Sequence, residues 1–145
     1  MKYSCSITVD LQRDHMVSLL ENTDNMVHWQ EGFVSFEHAS GEKGTPGSTA
    51  KIVYKMGNRD LVMTETVVVH NPPEEFSATY EADKVWNLVE NKFTDQGDKT
   101  LCVVDSEFKC GGFLRIMAFF MPGMFKKQTM KFMTDFKNWA ETQSA

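Results

Sequence analysis

MKYSCSITVDLQRDHMVSLLENTDNMVHW, residues 1–29, changes its period twice, and those changes decide the fold. Tyr3, Cys5, Ile7 and Val9 alternate with Ser4, Ser6 and Thr8, the two-residue period of a strand with one face buried. Asp10 then stands where a carboxylate caps a helix, which predicts one from about Leu11 to Glu21 with Met16, Leu19 and Leu20 at helical spacing. Thr23 is placed to cap a second, short turn through Met26 and Val27 that ends near Trp29. One strand followed by two short helices is an unusual opening. The chain leaves its sheet before pairing has begun.

From Glu31 to Cys110 strand and turn repeat. The glycine-rich stretch Gly41 to Ser48, the pair Gly57-Asn58, the triplet Asn71-Pro72-Pro73 and the pair Gly97-Asp98 separate the runs AKIVYKM, LVMTETVVV, FSATYEA, VWNLVENKF and LCVVDSEF. That spacing predicts a meander of six antiparallel strands. After Gly111-Gly112 the period turns helical. Phe125, Phe132, Phe136 and Trp139 form an apolar stripe, and Lys126, Lys127, Lys131 and Lys137 lie mostly off it. One helix is expected from roughly Phe113 to Thr142, kinked near Met121, because Pro122 removes a backbone donor and crowds the preceding turn. The fold class is therefore α+β in a single domain spanning residues 1–145: a seven-stranded, curved antiparallel sheet wrapped around a long C-terminal helix.

Composition narrows the function. With 145 residues the chain is long enough for one substantial core. A net charge of −5 argues against nucleic acid as a partner, since neutralising phosphates takes clustered Lys and Arg. No stretch approaches the roughly 20 apolar residues of a membrane span, and the first residues carry no signal-peptide pattern. Cys5, Cys102 and Cys110 are odd in number and lack a C-x-x-C pair, which fits a reducing, cytoplasmic setting and no zinc site. His15, His28, His38 and His70 do not cluster, so neither a metal nor another cofactor is expected. The glycine-rich stretch lacks the Lys-Ser/Thr of a phosphate loop and leads into a strand.

The order strand, two short helices, six strands, long helix resembles the START-like (SRPBCC) superfamily, whose helix-grip fold includes the birch-pollen allergen, and comes nearest its polyketide cyclase/dehydrase and lipid-transport-like branch. Local agreement lies in the Trp29 region, in GEKGTPGSTAKI (41–52) between the second and third strands, in TETVVVHNPPEEF (64–76) and in NKFTDQGDKTLCVVDSEF (91–108). The resemblance spans essentially the whole chain. It implies a central cavity for lipids, sterols, polyketide-like aromatics or plant hormones, and it implies no particular activity.

Alternation names the inward side chains. Ala50, Ile52, Tyr54 and Met56 share a face, as do Leu61, Met63, Glu65, Val67 and Val69, then Phe76, Ala78, Tyr80 and Ala82, then Val89, Asn91 and Phe93, then Val104, Ser106 and Phe108. A pocket is expected to be lined by Tyr54, Met63, Phe76, Tyr80, Asn91, Phe93, Phe108, Met117 and Met121. Glu65 is the candidate catalytic residue: a carboxylate beside Met63 and Val67 loses solvation, its pKa rises, and it becomes a general base near neutral pH. A bulge turning it to solvent, or a Tyr or Asn that satisfies it structurally, is the competing account.

Two functions follow as expectations. The first is a carrier or sequestering protein for an apolar small molecule. The second is a cyclase or dehydratase with Glu65 as base, helped by Tyr80 or Asn91. Transient membrane contact through Phe119, Phe120 and Met124 beside Lys126 and Lys127 is a third, and a monomer or homodimer fits all of them. Ligand access is expected through local opening around Met121 to Met124.

Overall fold

A computed structural model of the chain describes residues 1–112, 115–116, 121 and 123–143. Its strands are β1 (Lys2–Val9), β2 (Phe33–Ser40), β3 (Thr49–Met56), β4 (Arg59–Asn71), β5 (Glu75–Ala82), β6 (Val85–Asp95) and β7 (Thr100–Cys110). They form one antiparallel sheet in the order β1-β7-β6-β5-β4-β3-β2. Consecutive strands from β2 to β7 are neighbours because short turns join them. Gly57 closes the β3–β4 hairpin at φ 64°, a left-handed conformation that costs glycine nothing. At the β6–β7 turn the Gly97 amide donates to Asp95 Oδ1 (2.9 Å).

Only β1 breaks the sequence order, pairing with β7 at the opposite edge from β2. The chain must therefore travel from one edge to the other. It does so through α1 (Arg13–Glu21), a 3₁₀ turn (Thr23–Asn25) and α2 (Met26–Trp29). The first helix starts two residues later than the sequence suggests. Gln12, extended and without a side-chain bond, occupies the cap position, while the Asp10 amide donates to Glu141 Oε2 (2.8 Å). Asn22, not Thr23, caps the next turn by accepting from the Asp24 amide (3.1 Å).

The last helix, α3 (Met124–Ala140), packs chiefly along β1 and touches α1 and α2. Arg115 and Ile116 are helical, Met121 is not, so the single run from Phe113 to Thr142 is interrupted at Met121. Phe113 and Pro122 lie outside the described residues. The expected stripe holds α3 in place. Phe125 stacks on Phe108 (centroids 4.4 Å), Phe136 meets Trp29 edge-on (5.2 Å), and Trp139 stacks on His28 (5.5 Å). Tyr3 Oη shares a hydrogen bond with Thr129 Oγ1 (2.7 Å) and donates to the Phe125 carbonyl (3.2 Å).

The packed core lies at one end of the sheet. Val9, Met16, Val17, Phe93, Cys102, Phe136 and Ala140 form one buried cluster, closed by α1 and the C-terminal half of α3. Burying Phe136 there is worth about 2–3 kcal/mol. The other end of the inner face, on β3, β4 and β5, is built differently.

Candidate functional site

The strand register draws one row across the inner face. Ala50 lies opposite Glu65, Glu65 opposite Tyr80, Tyr80 opposite Asn87, and Asn87 opposite Phe108. Directly paired residues hold their side chains about 5 Å apart, so the row is one continuous lane. Glu65 is 8% exposed, which excludes the account in which a bulge turns it outward. Ile52 and Met63 pair in the next row but one, Tyr54 and Leu61 in the one beyond. Apolar walls thus surround a short polar strip.

Electrostatics follow from that burial. Loss of solvent pushes the Glu65 carboxyl above its usual range, and a hydrogen bond from Tyr80 pulls it part of the way back. Burial raises the Tyr80 phenol well above its ordinary value, with the Glu65 charge, their hydrogen bond and Tyr54 adding to the shift. Tyr54 is raised by burial and then by Glu65, and its hydroxyl donates to Gln30 Oε1 (2.6 Å). Both phenols stay protonated at neutral pH. They can donate hydrogen bonds but cannot act as bases.

Seven of the nine expected pocket residues lie on this inner face. Tyr80 pairs with Glu65, Met63 lies one inward row along β4, Tyr54 two inward rows along β3, and Phe108 closes the Glu65 row. Phe93 instead belongs to the packed core, with Phe76 against it. Asn91 spends its amide on the Phe76 carbonyl (3.2 Å), a bond within the sheet. Met121 is 53% exposed and lines an open hollow of about 730 Å³ with Met124, Lys127 and Lys131. Met117, Phe119 and Phe120 lie outside the described residues.

Inward residues that the alternation list omits include Asn87 and His70. Asn87 is buried and donates to Ser106 Oγ (2.8 Å) and the Glu107 carbonyl (3.0 Å). It has the parity of Val89 and Asn91, so the alternation that found them extends to it. His70 turns inward because a bulge between Val67 and Val69 shifts the register, placing His70 opposite Phe76 and Val69 opposite Ser77. Its Nε2 contacts Glu21 Oε2 (3.0 Å), linking β4 to α1.

No protein-family model matches the sequence, and no curated protein matches it significantly. Solved structures do. The ZhuI aromatase/cyclase from a Streptomyces species superposes with a TM-score of 0.80 at 10% identity, covering 97% of this chain and 93% of its own. The fold is the helix-grip fold. Ara h 8.0201 superposes at 0.77 with 9% identity over 99% of both chains, and a major latex-like protein from Panax ginseng at 0.72 with 12% identity over 97% of both. At such identities the likeness establishes the helix-grip architecture and no more. A second open hollow, about 520 Å³, lies between α2 and α3, lined by Val27, Trp29, Lys131 and Trp139 among others. Neither hollow includes Glu65. No described helix is long and apolar enough to cross a membrane.

Proposed function

We propose that the protein binds an apolar small molecule (a lipid, polyketide-like or aromatic metabolite) against the inner face around Glu65, as a carrier or sequestering protein. One observation carries this reading. The inner face is divided between a packed core at one end and, at the other, half-buried Tyr54, Met63 and Tyr80 around a buried carboxylate. Such apolar walls with few polar groups suit a small-molecule pocket. The helix-grip neighbours add only that the architecture accommodates this use.

Native mass spectrometry of freshly purified protein should find a co-purified small molecule. The neutral dye Nile red should bind, and Tyr80→Trp, which adds bulk at the lane, should weaken it about tenfold, or 1.4 kcal/mol. Dye binding that is indifferent to this change would overturn the proposed location.

The burial of Glu65 beside a phenol that stays protonated favours a second reading as a cyclase or dehydratase. Glu65 would remove a proton from an activated carbon, and Tyr80 would donate to the oxygen that gains charge. One neighbour is named as an aromatase/cyclase. Glu65→Gln separates the readings: an enzyme loses turnover while keeping its ligand, and a carrier has no turnover to lose.

A further inference from the structure

Glu65 is a buried carboxylate for which no cation is provided among the described residues. The lysines of the neighbouring strands, Lys51, Lys55, Lys92 and Lys109, have the opposite parity and point away from the inner face. On α3, Lys126 and Lys127 are exposed, Lys131 pairs with Glu31 and Asp135, and Lys137 pairs with Glu141. Arg13 donates to the Phe93 carbonyl at the packed end, and His70 pairs with Glu21. His38 shares the Ala50 row, but it is exposed and its Nε2 bonds the Gly41 carbonyl (2.7 Å). From Gly111 to Gly123 the sequence contains one charged residue, Arg115, and it is exposed.

We propose that the ligand supplies the missing charge: its polar end is a protonated amine on an apolar or aromatic body, set against Glu65 with Tyr54 and Tyr80 beside it. The inference rests on the ligand-binding reading above and names its ligand class. A buried charge without a partner is costly, and a ligand cation removes that cost on binding. Tyr80 opposite the carboxylate, and Tyr54 two inward rows along β3, add aromatic faces that attract a cation. An alcohol would satisfy a hydrogen bond but leave the charge. A carboxylic acid would bring a second negative charge into the same desolvated space. In the free protein the loss of solvent that raises the Glu65 pKa reflects the same imbalance.

The test uses the full chain, Nile red as the bound probe, and three competitors sharing a naphthylmethyl body: the amine, the alcohol and the carboxylic acid. Near neutral pH the amine should displace the dye at about tenfold lower concentration than the alcohol, with the acid weakest. In Glu65→Gln the advantage of the amine over the alcohol should vanish. Equal displacement by amine and alcohol in the natural protein overturns the proposal, as does an advantage that survives in Glu65→Gln.

A pH series on the natural protein guards against a variant that fails to fold. The amine's advantage should grow as pH rises through the titration of Glu65, because Tyr54 and Tyr80 remain neutral throughout. The same growth in His38→Asn assigns it to Glu65, and its loss there overturns the assignment. Nile red that fails to bind at all removes the pocket itself and the head-group assignment with it. Equal displacement removes only the latter.

Discussion

Glu65 and Asn87 solve the same problem, a polar group deprived of water, in opposite ways. Asn87 finds partners inside the sheet, in Ser106 and the Glu107 carbonyl, so it is a structural amide. Asn87→Ala should cost about 1–3 kcal/mol in urea unfolding, because Ser106 and that carbonyl lose their donor. A cost near zero would mean that water replaces it. Among the described residues Glu65 has Tyr80 and no cation, and its folded pKa lies above its unfolded one. The sign follows from proton counting. Between the unfolded value, about 4.3, and the raised folded value, the folded state holds more of the proton. Stability therefore falls as pH rises through that window and levels off above it. Glu65→Gln should remove this fall, leaving the variant ahead of the natural protein at high pH. Parallel stability curves for the two across the window would show that Glu65 titrates as if unfolded.

At the scale of elements, the sheet is held by its ladders and α3 by a few contacts with β1 and the short helices. Tyr3 ties β1 to α3 through Thr129 and the Phe125 carbonyl, and Tyr3→Phe should cost about 1 kcal/mol. Phe136→Ala empties the centre of the core cluster and should cost about 3–5 kcal/mol, seen as an early loss of α3 by circular dichroism. A Phe136→Ala protein with an unchanged unfolding midpoint would place the core elsewhere. These elements were legible in the sequence wherever one period ran uninterrupted. The six-strand meander, the turns at Gly57 and Gly97 and the α3 stripe all stand as read. The failures share a cause, a local contact that periodicity does not encode. Asp10 is drawn to the C-terminal end of α3 instead of capping α1, and the β4 bulge exchanges Val69 for His70 on the inner face. For the candidate site, parity placed Glu65 and Tyr80 on the inner face. It could not tell that Phe93 would be consumed by the core, because a packed and an unpacked inner position have the same alternation.

The proposed function assigns the two ends of the molecule different tasks, and that division is open to experiment. The core end joins β1, β6, β7, α1 and α3 through Val9, Met16, Phe93, Cys102 and Phe136. Those side chains have no room for a ligand. Glu65, Tyr80 and Tyr54 lie at the opposite end on β3, β4 and β5, where the proposed ligand would bind. Hydrogen exchange on the full chain, with and without saturating Nile red, should therefore be uneven. Amides of Ile52, Glu65 and Tyr80 should slow in the complex. Those of Phe93 and Cys102, already limited by global opening, should slow only as far as overall stability rises. That rise has a fixed size: a ligand at a hundred times its Kd adds about 2.7 kcal/mol, and the melting temperature should climb accordingly. Uniform slowing across both ends, with no excess at β3 to β5, would mean that ligand acts only through global stability. Slowing confined to α2 and α3 would move the site to the hollow beside Trp29 and Lys131.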